Sequence, residues 1–87
     1  MIQVAFSNSF KKSFKKRIKG QNEELFFKKM ELFIENPYHQ QLRTHKLSGK
    51  LKDLWSFSLD RNIRVVFYFV DTNHVIFENI GTHDEVY

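Results

Sequence analysis

Two of the four histidines in this 87-residue chain stand where an imidazole could do chemistry. His83 follows a strand-like run and Gly81, in a terminal segment that should be flexible, four residues before the final Tyr87. An exposed imidazole there is poised near neutral pH to give or take a proton. His45 lies beside Arg43, Lys46, Lys50 and Lys52, and cations on both sides favour the neutral ring that a general base needs. Arg64 interrupts an apolar strand among Val66, Tyr68 and Val70. A long cation so placed needs either an Asp or Glu partner or an external anion such as a phosphate. Tyr87, the last residue, either packs home as an anchor or stacks on a base. His39 and His74 read as turn or surface residues and are assigned nothing.

Other chemistries lack their residues. The chain has no cysteine, which removes disulfides, thiolate metal sites and cysteine nucleophiles and suits a reducing cytoplasm. There is no phosphate-cradling glycine loop, dinucleotide fingerprint, metal-spaced histidine pair or nucleophile elbow, and three glycines make a nucleotide cofactor improbable. No cofactor and no metal site are therefore expected. What remains is two imidazoles, an inward arginine, a lysine-rich approach and a terminal aromatic, a set able to support metal-free RNA cleavage.

The charge is split. Residues 1–52 hold twelve Lys or Arg against four acids, whereas residues 53–87 hold two against six. A basic half suggests an anionic partner, nucleic acid foremost, unless it is only a solvated helix face. The N-terminus lacks a secretion signal, and no apolar run approaches the ~20 residues that cross a bilayer. No membrane association is expected.

The elements that must position these residues are legible from periodicity. Ile2, Val4 and Phe6 alternate as in a short strand. Ser7 or Ser9 can cap a helix on which Phe10, Phe14 and Ile18 form one stripe and Lys11, Lys12, Lys15, Lys16, Arg17 and Lys19 take the remainder, up to a stop at Gly20. A second helix starts at Gln21 or Asn22 and runs to about Asn36, before Pro37. Its apolar residues, Leu25, Phe26, Phe27, Met30, Leu32, Phe33 and Ile34, are too widely spread for a surface helix, so it should pack on both the first helix and a sheet. Extended segments follow around residues 45–47, at 55–59, at 63–70 and at 75–80, with turns at 48–50, 60–62 and 71–73. The order is β-α-α-β-β-β, one α+β domain over residues 1–87, with the N-terminal strand and helical hairpin packed on one face of a mainly antiparallel sheet. The other face, carrying Ser56, Ser58 and Arg64, would be an open binding floor. With 16% aromatic residues, ten of them Phe, a chain this short would use bulky rings to build its core.

The segment His45-Lys-Leu-Ser-Gly-Lys-Leu51, the strand end Ser58-Leu-Asp60, the run Ile63-Arg-Val-Val-Phe67 and the ending Ile80-Gly-Thr-His-Asp-Glu-Val-Tyr87 resemble the RelE/ParE superfamily of bacterial type II toxins, in their RelE/YafQ-like mRNA interferase branch. The resemblance spans essentially the whole chain. It implies a ribosome-dependent endoribonuclease of the cytoplasm that cleaves mRNA in the ribosomal A site, by attack of the ribose 2′-OH on the adjacent phosphate without a metal. Its implied partners are ribosome, mRNA and a cognate antitoxin that neutralises it. His83 then matches the C-terminal acid or base, Tyr87 the terminal aromatic, His45 the histidine of the His-x-Leu-x-Gly segment and Arg64 the strand arginine that stabilises phosphate charge. Lys11, Lys12, Lys15, Lys16, Lys50, Lys52 and Arg61 would bind RNA. The chain departs from the pattern at Ser58 and Asn62, where YafQ-like members carry His and Asp, and at Asp60, where RelE-like members carry Arg. Two alternatives stay open at this point: a ParE-like toxin that inhibits DNA gyrase without chemistry, and a catalytically inactive relative that binds its antitoxin.

Overall fold

Ser7 starts the first helix and ties it to the sheet. In the computed structural model, which describes residues 1–49 and 53–87, the Ser7 hydroxyl accepts from the Phe10 N–H at 3.0 Å and donates to the Glu78 carbonyl at 2.8 Å. It joins strand β1 (Gln3–Phe6) to helix α1 (Asn8–Arg17), and the other capping candidate, Ser9, lies inside the helix. The helix ends earlier than Gly20: Ile18 adopts an extended conformation and buries its side chain in the core. Gly20 instead precedes α2 (Gln21–Glu35) at φ +62°, a left-handed conformation that glycine enters without steric cost. Asn36 ends α2, immediately before Pro37.

The second helix does bridge both layers. Phe26 meets Phe14 of α1 with ring centroids 4.9 Å apart, and the fully buried Phe33 lies within 5.0–5.2 Å of Phe57, Phe67 and Phe77 of the sheet. Phe27, in contrast, is 55% exposed. After a 3₁₀ turn (Gln40–Leu42) come β2 (His45–Lys46), β3 (Trp55–Ser58), β4 (Ile63–Asp71), β5 (His74–Thr82) and a short helix α3 (His83–Val86). No helix among the described residues is long and apolar enough to cross a membrane.

The sheet order is β1-β5-β4-β3-β2, antiparallel except that β1 runs parallel to β5. Alternation assigns the faces. Phe57, Ile63, Val65, Phe67, Val75, Phe77 and Ile80 form the core under the helices. In β5 the parity changes because Phe67 pairs with Phe77 but Val66 pairs with Asn79, leaving Glu78 as a bulge. The bulge turns Ile80 into the core and sets Gly81 opposite Arg64 on the other face.

That other face is not the open floor the sequence suggests. Ser56 and Val66 are 0% and 1% exposed, because the terminal segment is not a loose tail: it coils into α3 and packs back against β4 and β5.

Candidate functional site

Gly81 lets the chain fold back. A Cβ at this position would stand 2.9 Å from Glu85 Oε1, 3.2 Å from its Cβ and 3.4 Å from Val86 Cγ1, so a side chain here would displace the Glu85 carboxylate. Glu85 then fastens the turn at two points. Its Oε1 accepts from the Thr82 N–H at 2.8 Å, and its Oε2 pairs with the Arg17 guanidinium at the end of α1. Arg17 Nε is buried without a hydrogen-bond partner among the described residues.

The far end of α3 is fastened by Tyr87, whose phenol donates to the buried Ser56 Oγ. The Tyr87 ring meets the His83 imidazole edge to face, centroids 4.5 Å apart at 76°. His83 itself stays 68% exposed, with Nδ1 3.6 Å from Asp84 Oδ1. Of the two roles open to Tyr87, this geometry displays the anchor.

His45 lies opposite Ser56 in the β2–β3 pairing, so the two side chains share a face. Its Nδ1 is 3.1 Å from the Arg43 carbonyl. A carbonyl only accepts, so Nδ1 carries the hydrogen and, in the neutral ring, Nε2 carries the lone pair. Arg43 presents that carbonyl from φ +53°, a left-handed conformation uncommon outside glycine. Tyr87 thus spans from His83 to the residue directly across from His45.

Arg64 sits one row away, between Ser58 on β3 and Gly81 on β5. Its partners are backbone carbonyls. Nη1 donates to the Asp60 carbonyl at 2.8 Å and, more weakly, to the Ile63 carbonyl at 3.4 Å, and among the described residues no carboxylate lies within ion-pair distance of it. Asp60 shapes this turn: its Oδ1 accepts from the N–H groups of Asn62 and Ile63 at 2.8 and 2.7 Å. Asp60 therefore meets Arg64 through its backbone carbonyl while its side chain holds the turn, and Arg61 is an exposed residue of the same turn.

The lysines divide. Lys11 and Lys15 rim an apolar groove of about 450 Å³ formed by Phe6, Phe10, Phe14, Phe26 and Phe27, in the helical layer across the sheet from His45 and His83. Lys12 is exposed on α1, and Lys16 stands with Arg17, Asn79 and Glu85 beside α3. Lys50 and Lys52 lie outside the described residues. His39 Nδ1 accepts from the Gln41 N–H. His74 Nδ1 lies 2.8 and 3.0 Å from the two Asp71 oxygens, and this hydrogen bond, followed by that from the Asn73 N–H, holds the Asp71 carboxyl below its ordinary value. Among the described residues no three His, Cys, Asp or Glu side chains gather as a metal would require. Periodicity marked Ser56 only as part of a polar face, and it gave Arg17 and Glu85 no role.

Known proteins share this architecture. A metal-bound toxin from Helicobacter pylori aligns over 100% of both chains with a TM-score of 0.81 and 26% identity. YafQ from E. coli strain BL21(DE3) aligns over 100% of this chain and 99% of its own, with a TM-score of 0.77 and 21% identity. YafQ in the E. coli DinJ-YafQ complex gives 0.71 and 18% over the same shares. No curated protein sequence matches the chain. The family described as YafQ, bacterial toxin of type II toxin-antitoxin system, matches residues 2–87, and by that match over nearly its whole length the chain belongs to the YafQ family of type II toxins.

Proposed function

We propose that this toxin is a ribosome-dependent mRNA endoribonuclease held in check by a cognate antitoxin, with His45, His83, Arg64 and Tyr87 as its working residues. The observation that supports the reading is the link from the exposed His83 through the Tyr87 ring and phenol to Ser56, which lies opposite His45 on one sheet face, with a guanidinium one row away. His45 Nε2 removes the proton from the ribose 2′-OH, and the oxygen attacks the adjacent phosphorus. Arg64 stabilises the charge that builds on the phosphoryl oxygens. His83, protonated, delivers its proton to the departing 5′-oxygen. The products are a 2′,3′-cyclic phosphate and a 5′-hydroxyl end, and the two histidines have exchanged protonation states. Ser58 and Asn62 cannot replace a histidine–aspartate pair in this scheme, so both proton transfers fall to His45 and His83.

Ribosome and mRNA are the proposed targets, which places the action in the cytoplasm. The net charge of +4 and the Lys-rimmed phenylalanine groove suit an acidic, apolar antitoxin segment that folds as it binds, as a complex with DinJ exists for the E. coli relative.

Primer extension on an mRNA under translation, with and without the purified protein, tests the reading. Discrete new 5′ ends that require ribosomes are expected. An intact message at high protein concentration would overturn it and direct attention to gyrase supercoiling.

A further inference from the structure

We infer that Ser56 is a positioning residue that sets His83 against His45, an assignment that rests on the ribonuclease reading. Ser56 is 0% exposed in the middle of β3, where a hydroxyl requires a hydrogen-bond partner. Its partner is the phenol of the last residue.

The argument turns on what α3 can do alone. Four residues are far too few for a helix to persist in water without tertiary contacts. Its first turn is held by Glu85, through the Thr82 N–H and Arg17. These contacts fix where the helix begins, and the Tyr87 N–H closes on the His83 carbonyl at 3.0 Å, but none of them fixes the Tyr87 ring that packs against His83. Tyr87 removes that freedom by reaching Ser56, and its edge-to-face contact then restricts the imidazole.

Ser56 also defines where His45 stands, because the β2–β3 register places them opposite one another. A single strand residue therefore locates one imidazole through its backbone pairing and the other through its hydroxyl. Proton transfers at the two ends of one phosphodiester demand such a common reference, since small misplacements of an acid or base carry large rate costs.

The test combines Ser56→Ala, Ser56→Thr, Tyr87→Phe and the Ser56→Ala/Tyr87→Phe double variant. Neither Ser56→Ala nor Tyr87→Phe removes apolar core volume, and matching thermal unfolding curves confirm folded protein. Ser56→Ala and Tyr87→Phe should each lower kcat for ribosome-bound mRNA about tenfold, the scale of one net hydrogen bond realised in the transition state, with KM nearly unchanged. The double variant should be no slower than the slower single one, because both remove the same contact. Ser56→Thr, which keeps the hydroxyl, should recover most of the loss. The NMR shifts of the His83 ring protons, displaced by the Tyr87 ring in the parent protein, should move toward solvent-exposed values in both single variants. Additive losses, or His83 shifts unmoved by Ser56→Ala, would overturn the assignment. If the parent protein does not cleave RNA the ribonuclease reading fails, while the His83 shifts still decide whether Ser56 positions the imidazole.

Discussion

Arg17 of α1 and Glu85 of α3 form an ion pair that joins the helical layer to the helix on the opposite face of the sheet. The contact passes the edge of β5 beyond the point where β1 stops pairing at Phe77. Both side chains are about one-third exposed, 36% and 34%, so solvent screening limits the pair to roughly 0.2–1 kcal/mol. A double-mutant cycle of Arg17→Ala and Glu85→Ala, followed by chemical denaturation, should return a coupling in that range that shrinks at high salt. Glu85→Ala alone should cost more than Arg17→Ala, because it also removes the acceptor of the Thr82 N–H.

The glycine that precedes this helix has little tolerance. Gly81→Ala would press a methyl group against the Glu85 side chain, whose Oε1 is held by the Thr82 N–H. Overpacking of this kind costs about 1–3 kcal/mol. The strain can be relieved by releasing α3, so the variant should unfold at a slightly lower temperature yet lose the Tyr87-induced shift of His83 completely. Retention of that shift would show that α3 accommodates a side chain.

The weight of the fold rests on Phe33, which no solvent reaches and which three sheet phenylalanines surround. Phe33→Ala should cost about 3–5 kcal/mol, a large part of the stability of a domain this size. Phe27, six residues earlier on the same helix but 55% exposed, should change stability by only about 0.5 kcal/mol when replaced by Ala. The contrast is read from paired denaturation curves, and equal losses would contradict the burial pattern.

At the β4–β5 turn the pH dependence has a defined sign. The Asp71 carboxyl lies below its ordinary value of 3.8, first because His74 hydrogen-bonds it and second because the Asn73 N–H does. A depressed carboxyl contributes stability that is present above the unfolded value and is lost as pH falls through the folded one. The turn should therefore loosen only in acid below about pH 4. A carbon-13 NMR titration should show the Asp71 midpoint rising toward the ordinary value in His74→Ala, and an unmoved midpoint would remove His74 as the principal cause.

Much of this architecture was legible in the residues. Phe10, Phe14 and Ile18 declared the first helix, and the alternation from Trp55 to Phe67 declared the hairpin. The parallel pairing of β1 with β5 was not legible, because it joins residues some seventy positions apart and no local pattern encodes it. The bulge at Glu78 was hidden for a related reason: it matters only through the pairing of Phe67 and Val66 across the strand. His45, Arg64, His83 and Tyr87 were recognisable by type, yet what holds them was not. Arg64 reads as a cation in need of an acid or an external anion, whereas a turn places the Asp60 carbonyl within its reach. The terminal segment reads as loose because its one local helix signal, the capping box of Thr82 and Glu85, cannot sustain four residues alone, and tertiary contacts with Ser56 and Arg17 hold them in place.

His83→Ala should abolish ribosome-dependent cleavage while leaving the unfolding curve nearly unchanged, since the imidazole is exposed and buries little surface. His45→Ala should also abolish it, and the double variant should be no worse, because groups that act in one proton relay lose their effect together. Full activity in either single variant would remove that residue from the mechanism.

The basic face of α1 makes a separate prediction, about association and not chemistry. Lys11, Lys12, Lys15 and Lys16 carry positive charge along a helix that contains no acid, so binding to a ribosome should release counterions from phosphates. The logarithm of the affinity should then fall linearly with the logarithm of salt concentration, and each lysine that meets a phosphate should account for a slope of about 0.7–0.9. Lys16 lines a groove with Arg17, Asn79 and Glu85 beside α3, whereas Lys11 and Lys15 border the phenylalanine groove. Lys16→Ala should reduce the slope by nearly one contact. A slope that survives replacement of all four lysines would show that α1 does not face the nucleic acid and would leave its charge to the groove and the antitoxin segment proposed to fill it.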